Sequence, residues 1–115
     1  MDKKTHCVYV IELDKEVLKK KKFKKENNKT YINNKACFYV GMTFFSPDER
    51  FIHHKTRRLN SKGYDTSSYF PREYGNRVVK ELCSPEKSLT HKEALKMEKE
   101  LAQKLKNQGY GVYSR

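Results

Sequence analysis

What the sequence lacks narrows it first. It holds only three cysteines, Cys7, Cys37 and Cys83. An odd, widely spaced set of this kind suggests neither a disulfide framework nor a CxxC metal knuckle, and reduced core cysteines are the expected reading. A zinc site from the cysteines and His6 has only weak spacing in its favour. No apolar run approaches the ~20 residues of a membrane span, and the charged start is followed by a strand-like run instead of a signal sequence. No membrane contact and a cytoplasmic location are therefore expected. There is no internal repeat and no separate linker, so residues 1–115 are expected to form one domain with no spare binding module.

Acidic residues are also short: 14 Asp and Glu stand against 26 Lys and Arg, a formal +12. That excess favours a polyanionic partner, nucleic acid or an acidic membrane surface. Apolar residues make up only 36%, yet eight tyrosines and six phenylalanines make a small aromatic core feasible.

Two runs, Cys7-Val8-Tyr9-Val10-Ile11-Glu12-Leu13 and Ala36-Cys37-Phe38-Tyr39-Val40-Gly41, are short and rich in β-branched and aromatic residues. They read as an antiparallel strand pair, with Tyr9 and Tyr39 each on the odd-numbered face of its strand. Between them, residues 14–35 form an insertion with nine lysines against Asp14, Glu16 and Glu26, a net +6 of the chain's +12. A connection this long is functional or disordered in most domains, which leaves two readings, a solvated flexible arm and a nucleic-acid arm bearing Lys19, Lys20, Lys21, Lys22, Lys24 and Lys25.

Ser46-Pro47-Asp48-Glu49 is a helix start, with Ser as N-cap, Pro at the first position and Glu closing a capping box. The spacing predicts a helix to about Leu59, with Phe51, Ile52 and Leu59 on one side and Arg50, His53, His54, Arg57 and Arg58 on the other. Lys55 adds to this basic surface, whose plain reading is a solvated face. Residues 61–75 predict a loop and a short helix, Arg77–Leu82 a third strand, and Thr90 the cap of a last helix running to about Asn107. The expected fold is α/β (α+β), a small antiparallel sheet of about three strands flanked by helices.

On the last helix, Ala94, Leu95, Met97, Leu101, Ala102 and Leu105 form an apolar face that contains one carboxylate, Glu98. Burying an unpaired carboxylate costs several kcal/mol, so Glu98 needs a salt bridge, hydrogen bonds or a metal. Glu93 and Glu100 point away from the stripe and read as surface charges.

These pieces together resemble the GIY-YIG nuclease domain of excision-repair nucleases, some homing endonucleases and some restriction enzymes, and above all its small stand-alone bacterial members. The most specific are Phe38-Tyr39-Val40-Gly41-Met42-Thr43, Pro47-Asp48-Glu49-Arg50-Phe51 with His54-Lys55, and Glu93-Ala94-Leu95-Lys96-Met97-Glu98 leading to Gly109-Tyr110-Gly111-Val112. The resemblance implies a metal-dependent endonuclease acting on nucleic acid, with DNA as the expected substrate. It places catalysis on Tyr9, Tyr39, Arg50, His54 and Glu98, with Glu98 also holding Mg2+, for which Mn2+ can substitute. A hard cation prefers carboxylate, phosphate and water oxygens. Arg50 then offers a forked donor set to the phosphate, and Tyr9 serves as general base, a role in which a free phenol with pKa ~10 needs help from nearby positive charge or from His54.

Three departures stand against this. The first motif, Cys7-Val8-Tyr9, lacks the family's glycine, no asparagine follows the last helix, and the lysine-rich insertion exceeds the usual short hairpin. Each tyrosine alone would read as ordinary strand packing. A non-cleaving nucleic-acid-binding protein on the same fold is the alternative, and a basic protein that binds another protein or an acidic surface is a third. No obligate protein partner is evident.

Overall fold

The computed structural model describes residues 3–27 and 29–114. It is a small α+β domain whose mixed four-stranded sheet is flanked by four helices. The chain runs β1 (Cys7–Leu13), α1 (Lys21–Asn27), β2 (Cys37–Thr43), α2 (Pro47–Thr56), α3 (Tyr69–Tyr74), β3 (Gly75–Val78), α4 (His91–Asn107) and β4 (Gly111–Ser114). Strand order is β3-β1-β2-β4. β1 pairs antiparallel with β2 and β3, as expected of a small antiparallel sheet, and β4 adds a parallel edge beside β2. Among the described residues no helix is long and apolar enough to cross a membrane.

The third strand ends at Val78, short of the expected Arg77–Leu82, because the chain turns into a 3-10 helix at Lys80–Leu82. The fourth strand was not expected: Gly111–Ser114 is short and finds its pairing only in β2, far away in sequence.

Strand alternation gives the sheet two faces. On one, Val8, Val10, Phe38, Val40 and Val112 pack with Ala94, Ala102 and Leu105 of α4. On the other, Tyr9, Ile11, Cys37 and Tyr39 pack with Val17, Phe23 and Phe70.

The insertion is not a detached flexible arm. Its residues form a 3-10 helix, Lys15–Lys19, and then α1, and they bury Val17, Phe23 and Asn27. The Asn27 side chain accepts from Val112 N–H at 2.8 Å and donates to Phe23 O at 2.8 Å, tying α1 to β4. Lysine dominated the composition and hid the two apolar residues that anchor the segment.

The capping box at Ser46 forms, but α2 ends at Thr56 with Arg57 in the left-handed region at φ 55°, short of Leu59. The solvated-face reading of its basic side fails at three residues. Arg50, His53 and His54 are buried, whereas Ile52 and Leu59 are 56% and 57% exposed. Polar groups occupy the inward face because each finds a hydrogen-bond partner there, which removes the penalty for burying them. On α4 the buried stripe is Ala94, Glu98, Ala102 and Leu105, while Leu95 and Met97, expected inside, lie exposed on its flanks.

Candidate active site

Tyr9 stands across the β1–β2 pair from Gly41. The absence of a side chain at position 41 lets the phenol lie over the strand. Tyr39, on the same face, has its ring centroid 6.2 Å from that of Tyr9. From α2, His54 enters between them, 6.0 Å from the Tyr9 ring and 5.9 Å from the Tyr39 ring, and is fully buried.

The hydrogen bonds around His54 fix its tautomer. Ser68 N–H donates to His54 Nδ1 at 2.9 Å, so Nδ1 carries no proton. The proton of the neutral ring then sits on Nε2 and is donated to Tyr9 Oη, 2.9 Å away. Tyr39 Oη donates to Ser68 Oγ at 3.0 Å. Ser68 therefore positions both predicted catalytic tyrosines, one directly and one through His54. Nothing in the local sequence marks Ser68 for this role. It precedes α3 and reads as an ordinary N-cap, yet its side chain makes no cap hydrogen bond.

Arg50 lies one turn before His54, 8% exposed, and its Nη2 donates to Thr66 O at 2.7 Å. The segment from Arg57 to Ser68 is thus held at Thr66 and at Ser68. An ion pair between Arg57 and Asp65 at 3.0 Å holds it further. Hydrogen bonds from Ser67 and then Arg57 pull the Asp65 carboxyl down to about 2.

The other basic residues expected on the nucleic-acid face divide in two. His53 is buried, accepts from Arg58 Nη1 at 2.6 Å and packs edge-on against Phe45. Burial, then Arg58 and Arg50, keep its proton affinity below that of an ordinary histidine, so it adds no charge to the surface. Lys55 donates to Arg72 O, and Arg57 holds Asp65. On the insertion, Lys19 pairs with Glu16, while Lys20, Lys21 and Lys22 line a cavity of about 550 Å³ that opens beside Tyr39 and Ser68. Lys24 and Lys25 are exposed on α1.

Glu98 is 5% exposed on α4, and that helix packs on the Val8 and Val40 face. Tyr9, Tyr39, His54 and Arg50 are gathered on one side of the sheet, and Glu98 belongs to the helix covering the other. Among the described residues there is no cluster of three His, Cys, Asp or Glu side chains that could hold a metal ion. The donor chemistry of Glu98 suits a cation that takes its other ligands from phosphate and water, as Mg2+ commonly does.

Comparison with protein-family models, with curated proteins and with solved structures finds no match to this chain.

Proposed function

We propose that this chain is a GIY-YIG-type endonuclease that hydrolyses phosphodiester bonds in DNA with Mg2+. The observation that carries the reading is the fixed direction of the Tyr9–His54 hydrogen bond. A donor aimed at the phenol oxygen stabilises negative charge there, which is the form a phenol must take to accept a proton from water. His54 is excluded as that base in this arrangement: Nε2 already bears a proton and Nδ1 is engaged by the Ser68 amide.

Tyr9 takes the proton of the attacking water while Tyr39, held by Ser68, lines the approach. The Arg50 guanidinium offers forked donors to the phosphate as charge builds on its oxygens. Glu98 would hold the cation, which supplies positive charge at the scissile phosphate when bound.

The missing asparagine after the last helix and the dense lysines favour a second reading, a DNA-binding protein on this fold that does not cut. Incubation of plasmid with the wild type in Mg2+ and in EDTA, beside Glu98→Ala and Tyr9→Phe, separates the two. Metal-dependent strand breaks that both variants lose support the nuclease. Retarded DNA with no breaks in Mg2+ supports the second reading.

A further inference from the structure

The cavity beside Tyr39 has features that general attraction to a polyanion leaves unexplained. Its volume, about 550 Å³, is that of a small-molecule pocket, and its walls join Lys20 and the first two lysines of α1 to aromatic rings from α3 and β4. Lys20 Nζ lies 5.8 Å from the Tyr69 ring centre and Lys22 Nζ lies 5.5 Å from that of Tyr113. Tyr69 is 44% exposed at the mouth, where its ring centre also lies 5.7 Å from the Arg72 guanidinium. Tyr113 in turn stacks on Tyr39, with ring centres 6.4 Å apart and planes 17° apart.

Cations alone would fit any phosphate backbone, but rings interleaved with them fit a base together with its phosphates. In a duplex the faces of each base are covered by its neighbours, so only an unpaired base can lie against these rings. The ammonium groups that now stand over Tyr69 and Tyr113 are then free to meet the phosphates on either side.

We infer that this cavity receives one unstacked nucleotide, so that the substrate is single-stranded or locally unpaired DNA presented to Tyr39 from the α1 side. Lys20, Lys21 and Lys22 hold its backbone, and Tyr69 and Tyr113 hold its base. The inference rests on the proposed phosphodiester chemistry for its biological sense, but its test reads binding alone.

Fluorescence anisotropy in EDTA compares a short labelled single strand with a hairpin duplex of the same composition. The wild type is expected to bind the single strand about fivefold tighter or better. Tyr69→Ala should weaken single-strand binding about tenfold and leave duplex binding unchanged, whereas Tyr69→Phe, which keeps the ring, should bind like the wild type. Duplex bound by the wild type as tightly as single strand overturns the inference, and so do Tyr69→Ala and Tyr69→Phe behaving alike. If Tyr69→Ala does not fold, by circular dichroism, the wild-type comparison decides alone. A single-strand preference without metal-dependent cleavage would sink the nuclease reading and leave this one standing, and cleavage without the preference would do the reverse.

Discussion

The ring of Tyr9 lies against the bare Cα of Gly41, its partner across the β1–β2 pair, where a Cβ would fall 2.6 Å from the phenol oxygen and 2.7 Å from Cζ. The tyrosine belongs to a packed strand face and cannot swing away without disturbing Tyr39 and His54. Gly41→Ala is therefore expected to cost about 1–3 kcal/mol of stability by overpacking. It should also displace Oη from His54, lowering DNA cleavage by about 100-fold. Thermal melting and plasmid nicking report the two effects separately.

Tyr9→Phe and His54→Ala separate chemistry from support. Tyr9→Phe keeps the ring over Gly41 and removes only the oxygen that accepts from His54. It should abolish cleavage with a stability loss of about 1–3 kcal/mol. His54→Ala opens a hole in the core and takes the acceptor from the Ser68 amide, so it should lower the melting temperature further. Equal melting temperatures for the two variants would contradict the role given to His54.

The segment that carries Ser68 should loosen in acid. The folded Asp65 carboxyl lies at about 2, below its usual 3.8, through Ser67 and then Arg57. For a depressed carboxyl, the stabilising contribution is present above the unfolded value and is lost as pH falls through the folded one. The melting-temperature difference between wild type and Asp65→Asn should thus be steady at neutral pH and close between about pH 4 and pH 2. A difference that persists below that window would show that the carboxylate is not what holds the segment.

Salt should weaken DNA binding steeply, because phosphate contacts dominate an interface built by a chain of net +12. Replacing Lys21 and Lys22 by glutamine should flatten the plot of log affinity against log salt by about 0.7 for each single-strand phosphate that is no longer neutralised. An unchanged slope would place the DNA elsewhere.

Asn27→Ala tests whether the insertion belongs to the core. It leaves Val112 N–H without the side-chain oxygen it meets at 2.8 Å. A loss of about 1–3 kcal/mol is expected, measured by urea unfolding. A melting curve that matches the wild type would return the insertion to the status of an arm.

Legibility in the sequence followed the range of the signal. Cys7–Leu13 and Cys37–Thr43 stood out because their β-branched and aromatic runs are local, and the capping box at Ser46 and the cap at Thr90 marked the starts of α2 and α4. The side of α2 that faces inward could not be read in the same way. Spacing put Ile52 and Arg50 on different sides without saying which faces inward, and Arg50 and His54 go inward because Thr66 and Tyr9 wait to bond them. Ser68 was invisible for a similar reason, since its two partners come from β2 and α2.

By itself the sequence determined the two strands with Tyr9 and Tyr39 each on the odd-numbered face of its own, the starts of the two long helices and the positive charge, all of which depend on near neighbours or on composition. Tertiary structure alone decided that the lysine-rich segment packs through Phe23 and Asn27, that Gly111–Ser114 joins β2 in parallel, and that Glu98 lies on the helix opposite the tyrosines. Those outcomes turn on partners distant along the chain, whose hydrogen bonds and apolar contacts can repay the burial of a polar group that a local pattern would place in water.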